Sequence, residues 1–195
     1  MIEKTNITGI ILAGGKSSRM GSEKGFINLN ARPFIVHILE AIKPLINDII
    51  IVSDNEVYDK FGHQRVNDII KNYGPIAGLY SGLKSSRTQY NLVLSCDVPL
   101  IRTFILERLI QEFDSDYDMV QLQSENKSMP LIAIYKTHCL DTFESQINKK
   151  EKRLRVAVEQ LKNKTIYLGS EYDQYLKNIN TLAQLNELQH PFNGD

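Results

Sequence analysis

Residues 10–24 read Ile-Ile-Leu-Ala-Gly-Gly-Lys-Ser-Ser-Arg-Met-Gly-Ser-Glu-Lys, an apolar run followed by a glycine-rich, basic loop. The apolar run, residues 7–13, predicts a buried strand, because Ile and Leu crowd it and a glycine pair ends it. Glycines allow backbone N–H groups to approach an anion closely, and basic side chains neutralise its charge. The stretch therefore predicts a strand that leads into a nucleotide triphosphate loop. The loop residues that carry this prediction are Gly14, Gly15, Lys16, Ser17, Ser18, Arg19, Gly21 and Lys24.

The loop differs from the two commonest phosphate-binding loops. The sequence contains no G-x-x-x-x-G-K-[ST] and no G-x-G-x-x-G, the signatures of Walker-type hydrolysis and of dinucleotide binding. A strand that ends in a flexible basic turn is the structural alternative. The order L-A-G-G-x-x-x-R-M-G-x-x-K is more specific than a glycine pair, and it resembles the signature loop of nucleotidyltransferases that activate sugars and cofactors.

The composition is that of a balanced globular chain. Its 195 residues suit one compact domain, residues 1–195, in which we expect 190–195 to be a frayed tail. Twenty-three basic and twenty-three acidic residues give a formal net charge of zero, which argues against a nucleic-acid partner. Cys96 and Cys139 provide neither a disulfide framework nor a metal quartet. Without a membrane-length apolar run or a signal-peptide pattern, we expect a cytoplasmic protein with no membrane partner.

The next elements alternate between helix and strand. Pro33 suits a helix start, because its missing N–H costs nothing there. The apolar character of residues 48–53 and 90–95 predicts two further strands. Strand–helix–strand units with short crossovers predict a parallel sheet with right-handed connections, and hence an α/β fold. The apolar stripe of the first helix comprises Ile35, Ile38, Leu39 and Ile42.

Two further segments lie where a ligand would bind. Gly74-Pro-Ile-Ala-Gly78 is a turn before a helix, and Gly78 permits close approach at the helix N-terminus; an ordinary capped helix is the alternative. Asp97 follows the third strand, where open α/β sheets bind ligands, and its carboxylate suits Mg²⁺ held against substrate phosphates. The alternative is that Asp97 caps a turn before Pro99. We interpret Cys96 as a buried strand-end residue rather than a nucleophile.

The second half of the chain predicts additional elements. Residues 118–123 and 130–135 indicate two strands around a polar turn. A basic cluster, residues 149–155, is either a solvated helix start or a site for an anionic second substrate. Asn180 is either a turn residue or a ligand for metal or substrate, and it precedes a capping-box spacing at Thr181 and Gln184. Another amphipathic helix is marked by Phe104, Leu106, Leu109, Ile110 and Phe113.

Four separated segments together resemble those of the molybdenum cofactor guanylyltransferase family. They are the loop of residues 12–24, Gly74-Pro-Ile-Ala-Gly78, Ser95-Cys-Asp-Val-Pro99 and Asn178-Ile-Asn-Thr181. The first loop is similar to that of the wider nucleotidyltransferase superfamily. The G-P-[LI]-A-G turn, the P-L-x-A-x-Y segment at residues 130–135 and the terminal N-x-N-T narrow the resemblance, which extends from Ile7 to about Leu188.

The resemblance implies a Rossmann-like α/β fold, a mostly parallel twisted sheet with helices on both faces. It implies transfer of GMP from GTP to the phosphate of molybdopterin, with Mg²⁺ as cofactor and pyrophosphate as product. Transient contacts with other cofactor-biosynthesis proteins are compatible with it. The implied catalytic residues are Lys24, Arg19 and Asp97, with Asp97 as metal ligand and Asn180 at the second substrate. The implied nucleotide-binding residues are Leu12, Ala13, Gly14, Gly15, Lys24, Asn55, Asp68, Gly78 and Asp97.

The sequence departs from the family pattern at two places. An asparagine that commonly ends the second strand is replaced by Val52, and we predict that Asn55, just beyond, takes over its nucleotide contact. The family's N-T-P-E-D reads Asn-Thr-Leu-Ala-Gln at residues 180–184, although the capping box can still start the helix.

Other activities stay open at this level. Base choice depends on a few side chains near Ala13, Val52 and Asp68, so a cytidylyltransferase acting on the same pterin is one alternative. A sugar-phosphate nucleotidyltransferase is another. The non-enzymatic alternative is a nucleotide-binding regulator of this fold, against which the presence of both Lys24 and Asp97 argues.

Overall fold

The computed structural model describes residues 3–14 and 23–189, and over these ranges the chain forms nine strands and six α-helices. The strands are β1 (Ile7–Leu12), β2 (Asn28–Leu29), β3 (Arg32–Pro33), β4 (Asp48–Val52), β5 (Gln64–Val66), β6 (Tyr90–Ser95), β7 (Met119–Ser124), β8 (Lys127–Lys136) and β9 (Asn163–Tyr167). The α-helices are α1 (Phe34–Ile42), α2 (Pro75–Ser85), α3 (Thr103–Gln111), α4 (Cys139–Asn148), α5 (Leu154–Val158) and α6 (Leu182–Gln189). Short 3-10 helices lie at Lys4–Asn6, Lys24–Phe26, Glu56–Phe61 and Ser170–Leu176. The tail predicted at 190–195 lies outside the described residues.

Of the helices in these ranges, none combines the length and the apolar character needed to cross a membrane.

Seven of the strands form one sheet in the order β5-β4-β1-β6-β8-β7-β9. Neighbouring strands are parallel except where β8 pairs with β6 and with β7. The predicted mostly parallel α/β fold is therefore confirmed, with β8 as the antiparallel strand. The short strands β2 and β3 form a separate two-stranded ribbon.

The strand order reverses next to β1. The chain passes from β1 through α1 to β4 on one side, and later through α2 to β6 on the other side. Two connections that diverge in this way leave a crevice at the carboxyl ends of β1 and β6, which is where open α/β sheets bind ligands. The glycine-rich loop begins at this edge of the sheet, and Asp97 lies just beyond the end of β6 at the same edge.

Helices cover both faces of the sheet, as the resemblance implied. Ile7 and Ile11 belong to the apolar layer that contains α1 and α3, whereas Ile10 and Leu12 belong to the layer that contains α2, α4 and α5. Successive side chains of a strand point to opposite faces, so β1 is buried on both sides. This double cover explains why its sequence is a continuous apolar run rather than an alternating one.

Two details differ from the sequence-based prediction. Phe104, predicted on the buried stripe of α3, is 41% exposed, because it packs against Tyr172 and Tyr175 of the last 3-10 helix instead of the sheet. The polar turn predicted at residues 124–128 is shorter than expected. Glu125 and Asn126 reverse the chain with φ angles of 47° and 60°, and pairing resumes at the first residue of β8.

Candidate active site

The glycine-rich loop begins where the chain turns over the end of β4. The N–H groups of Ala13 and Gly14 both donate to the carbonyl oxygen of Val52, at 3.0 and 3.1 Å. The Val52 side chain is buried, so position 52 supports the loop through its main chain. Gly15 and Arg19, which the sequence analysis placed in this loop, lie outside the described residues.

Three polar side chains from distant parts of the chain meet beyond the ends of β1 and β6. Lys24 Nζ donates to Asp97 Oδ2 at 3.1 Å and to Asn180 Oδ1 at 2.5 Å. The Lys24 and Asp97 side chains are 26% and 14% exposed, so the ion pair is partly shielded from water. The structure thus brings together three residues that the sequence analysis assigned separately to the triphosphate, the metal and the second substrate.

Asn180 is held in place by its neighbours in the chain. Ile179 N donates to the carbonyl oxygen of Asp97 at 2.8 Å, which ties the segment before α6 to the end of β6. Gln184 N donates to Thr181 Oγ1 at 3.2 Å, as a capping box requires. The reciprocal bond differs by one residue, because Gln184 Oε1 accepts from the N–H of Asn180 at 2.8 Å.

Asp68 lies beside the glycine-rich loop. A Cβ atom added at Gly78 would lie 3.4 Å from Asp68 Oδ1, and one added at Gly14 would lie 3.8 Å from Oδ2. The two glycines therefore leave room next to the carboxylate, whose buried Oδ1 has no hydrogen-bond partner among the described residues. Burial, reinforced by the charge of Asp54, raises the pKa of Asp68 above its usual value. A donor pair from a ligand would satisfy this carboxylate.

Asn55 follows β4, and its amide group is engaged at both ends. Its Oδ1 accepts from Val57 N at 3.0 Å and caps the 3-10 helix Glu56–Phe61. Its Nδ2 donates to the Glu23 carboxylate. The contact of Asn55 with the nucleotide stays a prediction. The structure places Asn55 against Glu23, the residue that precedes Lys24.

Comparison with known proteins agrees with this geometry. The family model described as the MobA-like NTP transferase domain matches residues 9–165. The chain belongs to the MobA-like NTP transferase family. The matched region includes Lys24, Asp68 and Asp97 and ends within β9, before Asn180.

Relatives of this MobA-like chain are named for one activity. A probable molybdenum cofactor guanylyltransferase from Flavobacterium johnsoniae is 36% identical over 182 residues, which cover 93% of this chain and 96% of that protein. A molybdenum cofactor guanylyltransferase from Shewanella sediminis is 30% identical over 76% of this chain and 78% of its own length. The solved structure of molybdopterin-guanine dinucleotide biosynthesis protein A from Archaeoglobus fulgidus has a TM-score of 0.81 at 23% identity, covering 94% of this chain and 97% of that one. At that identity the structure supports the fold alone.

In this MobA-like chain a cleft of about 690 Å³ opens on the side of Asp97 and Asn180, within the range typical of small-molecule sites. The β7–β8 hairpin, the start of α5, residues 176–180 and three residues of α6 (Gln184, Glu187 and Leu188) line it. Of the basic cluster, Leu154 and Arg155 reach the cleft, whereas Arg153 pairs with Glu151. Sequence reasoning missed two further basic residues of the lining, Lys127 and Lys177. Neither lies in a motif, so only the folded arrangement identifies them.

The donor set around Asp97 fits the magnesium ion that the family resemblance implies. In the described ranges no group of three His, Cys, Asp or Glu side chains forms a protein cage for a metal. Mg²⁺ in nucleotide sites uses one or two carboxylates together with phosphate oxygens, so a single aspartate suffices. Asp97 Oδ1 is buried and lacks a hydrogen-bond partner within the described residues, as expected of an acceptor reserved for a ligand.

Cys96, next to Asp97, is not positioned to act as a nucleophile. The residue is buried, and burial raises the pKa of its thiol to about 12. The thiolate is the reactive form of cysteine, so at neutral pH the side chain is inert. The interpretation of Cys96 as a buried strand-end residue agrees with this environment.

Proposed function

We propose that this protein transfers GMP from GTP to the phosphate of molybdopterin and releases pyrophosphate. The observation that carries the proposal is the convergence of Lys24, Asp97 and Asn180 between the glycine-rich loop and the cleft. Transfer between two anionic substrates needs groups that position them and neutralise their charge at the point where they meet, and these side chains would supply both. The names of relatives that are similar over nearly the whole chain support the same activity.

The reaction needs little proton transfer. The terminal phosphate of molybdopterin, with a second pKa of about 6, is ionised at neutral pH and can attack without a general base. One of its oxygens forms a bond to the α-phosphorus of GTP. The bond from that phosphorus to the bridging oxygen breaks, and pyrophosphate leaves with the electron pair. The protein's contribution is positioning and charge stabilisation.

Lys24 would supply positive charge to the triphosphate. Its ammonium group lies against Asp97 and Asn180. A triphosphate in the glycine-rich loop is a stronger anionic partner than one carboxylate, so Lys24 would move from Asp97 to the phosphates. Asp97, whose Oδ1 has no hydrogen-bond partner among the described residues, would then hold Mg²⁺, which when bound neutralises charge on the phosphate oxygens. Asn180 would stay beside the incoming phosphate of the pterin.

Asp68 would select guanine. The edge of guanine presents two adjacent donors, N1–H and the 2-amino group, which match the two oxygens of a carboxylate. Adenine and cytosine each present a ring-nitrogen acceptor beside their amino group, which a carboxylate repels. The room that Gly14 and Gly78 leave next to Asp68 would allow a base to approach it.

One experiment tests the proposed activity. The protein is incubated with GTP, CTP or ATP, together with Mg²⁺ and molybdopterin, and pyrophosphate and the dinucleotide product are quantified. We expect pyrophosphate and a guanine dinucleotide from GTP alone. A cytosine product at an equal or higher rate would refute the guanylyl assignment, and nucleotide binding without pyrophosphate release would support the regulator alternative. A sugar phosphate in place of molybdopterin tests the remaining alternative.

A further inference from the structure

The backbone around Lys24 is fixed by one neighbouring segment. Lys24 opens a three-residue 3-10 helix, Lys24–Phe26, at the end of the glycine-rich loop. The residues on both sides of Lys24 contact residues 53–61, which follow β4 and which we call the anchor segment. Lysine has a long flexible side chain, so the position of its backbone determines which groups its ammonium can reach.

On one side, Glu23 is bound by two side chains of the anchor segment. Ser53 Oγ donates to Glu23 Oε1 at 3.2 Å, and Asn55 Nδ2 donates to Oε2. Both donors are themselves fixed, because Asn55 N donates to Ser53 Oγ at 3.1 Å and Val57 N donates to Asn55 Oδ1. Hydrogen bonds to an ionised carboxylate are stronger than those between neutral groups. Glu23 therefore has a defined position.

On the other side, Gly25 and Phe26 pack against Tyr58 of the anchor segment. A Cβ atom added at Gly25 would lie 2.2 Å from the hydroxyl oxygen of Tyr58, a side chain that is fully buried. Phe26 stacks on the same ring with centroids 4.6 Å apart. The Tyr58 hydroxyl donates to the carbonyl oxygen of Ala13 at 3.3 Å. The anchor segment thus contacts the chain at the beginning and at the end of the glycine-rich loop.

We propose that Glu23 is a positioning residue that acts through Lys24. Bound to Ser53 and Asn55, it fixes the backbone from which Lys24 reaches Asp97, Asn180 and the triphosphate. The inference rests on the role that the proposed function gives to Lys24. It also assigns a role to Asn55, which binds Glu23 and so fixes the backbone of Lys24 instead of contacting the nucleotide base.

A double-mutant cycle tests whether Glu23 acts through Lys24. GTP affinity, kcat and KM are measured for Glu23→Ala, Lys24→Ala and the double variant, with thermal melts on each preparation. Misplacement of a positioned group by about 1 Å costs up to about 100-fold, so we expect Glu23→Ala to lower kcat/KM by about 10- to 100-fold. In the Lys24→Ala background the same change should have less than about a twofold effect on GTP affinity and on kcat/KM, because the group it positions is absent.

Two further variants keep the test sharp if Glu23→Ala folds poorly. Asn55→Asp places a second carboxylate against Glu23 and should lower kcat/KM as Glu23→Ala does. Glu23→Gln retains an acceptor for Asn55, so its kcat/KM should lie closer to the wild-type value than that of Glu23→Ala. Glu112→Ala removes an exposed glutamate that faces Arg108 and Lys164. It serves as the matched control and should leave GTP affinity and kcat/KM unchanged.

Several outcomes would overturn the proposal. If Glu23→Ala weakens GTP binding equally with and without Lys24, then Glu23 acts independently of it. If Glu23→Ala lowers the melting temperature and leaves GTP affinity and kcat unchanged, its role is structural only. Absence of pyrophosphate release in the wild type would refute the proposed function, and the cycle in GTP affinity would still decide the role of Glu23.

Discussion

Asp97→Asn separates the charge of the carboxylate from its shape. Asp97 Oδ2 accepts from Lys24 Nζ at 3.1 Å, while Oδ1 is buried without a partner in the described part of the chain. Asparagine fills the same volume but lacks the negative charge that would hold Mg²⁺ between the phosphates. The backbone bond from Ile179 N to the carbonyl oxygen of Asp97 does not depend on the side chain. The substitution should therefore affect catalysis far more than folding.

The structure allows both effects to be estimated. Loss of one group that stabilises developing charge costs about 10²-fold or more in turnover. The ion pair with Lys24 is mostly buried, but asparagine keeps an oxygen that accepts from Lys24 Nζ. Only the charge is lost, and charged and neutral hydrogen bonds differ by about 1 kcal/mol. In a domain of this size a change of about 1 kcal/mol shifts Tm by roughly 2–4 °C. We expect kcat to fall by about 100-fold or more and Tm by no more than about 4 °C.

Thermal melts and kcat at saturating Mg²⁺ and GTP are measured on the same preparation. Glu112→Gln, the same change at an exposed pair, is the control and should alter neither quantity. A well-folded Asp97→Asn protein with the kcat of the wild type would refute a metal-holding role. A destabilised variant whose folded fraction turns over normally would identify Asp97 as a turn residue.

Three other predictions concern the remaining charged groups. Lys24→Met removes the cation that pairs with Asp97, so the affinity of the nucleotide-free protein for Mn²⁺ should rise about fivefold, as measured by electron paramagnetic resonance. An unchanged Mn²⁺ affinity would contradict competition between the Lys24 ammonium group and the metal for Asp97. The folded-state pKa of Asp68 is raised by burial, so its ionised form costs stability as the pH rises above the unfolded pKa. Asp68→Asn should accordingly keep or raise Tm at pH 7, while selectivity for GTP over ATP in calorimetric titrations falls by about tenfold or more; retained selectivity would remove Asp68 from base recognition. Arg155→Glu should raise KM for the pterin without changing GTP affinity, whereas Arg153→Glu, outside the cleft lining, should change neither; equal effects would show that the cluster acts only through its net charge.

The sequence predicts the elements of this fold better than their arrangement. The strands β1, β4 and β6 and the helices α1 and α2 have apolar patterns that follow from local periodicity, and each lies where it was expected. The position of β8 between β6 and β7 could not be predicted, because strand order depends on long-range packing and not on any one segment. Phe104 illustrates the same limit at the level of one residue. Helical spacing predicted a buried face, but Tyr172 and Tyr175, distant in sequence, provide its contacts.

The candidate site residues could be named from the sequence, whereas the contacts between them could not. Lys24 and Asp97 stand in motifs whose chemistry is readable from residue type and spacing. Their direct ion pair joins positions 73 residues apart, and Asn180 is 156 residues from Lys24. Asn55 was predicted to contact the nucleotide because Val52 replaces the asparagine that commonly ends this strand in the family. Its pairing with Glu23 carries no motif, so only the structure reveals it.

The C-terminal segment explains how Asn180 keeps its place although the sequence after it departs from the family pattern. Ile179 is buried in a small apolar cluster with the β2–β3 ribbon and α6, and its N–H bonds the carbonyl oxygen of Asp97. These contacts fix the backbone on one side of Asn180. On the other side, Gln184 Oε1 accepts from the N–H of Asn180, while Thr181 caps the helix. An amide oxygen is a hydrogen-bond acceptor, so Gln184 at the start of α6 can hold the N–H of Asn180 although the Pro-Glu-Asp of the family pattern is missing.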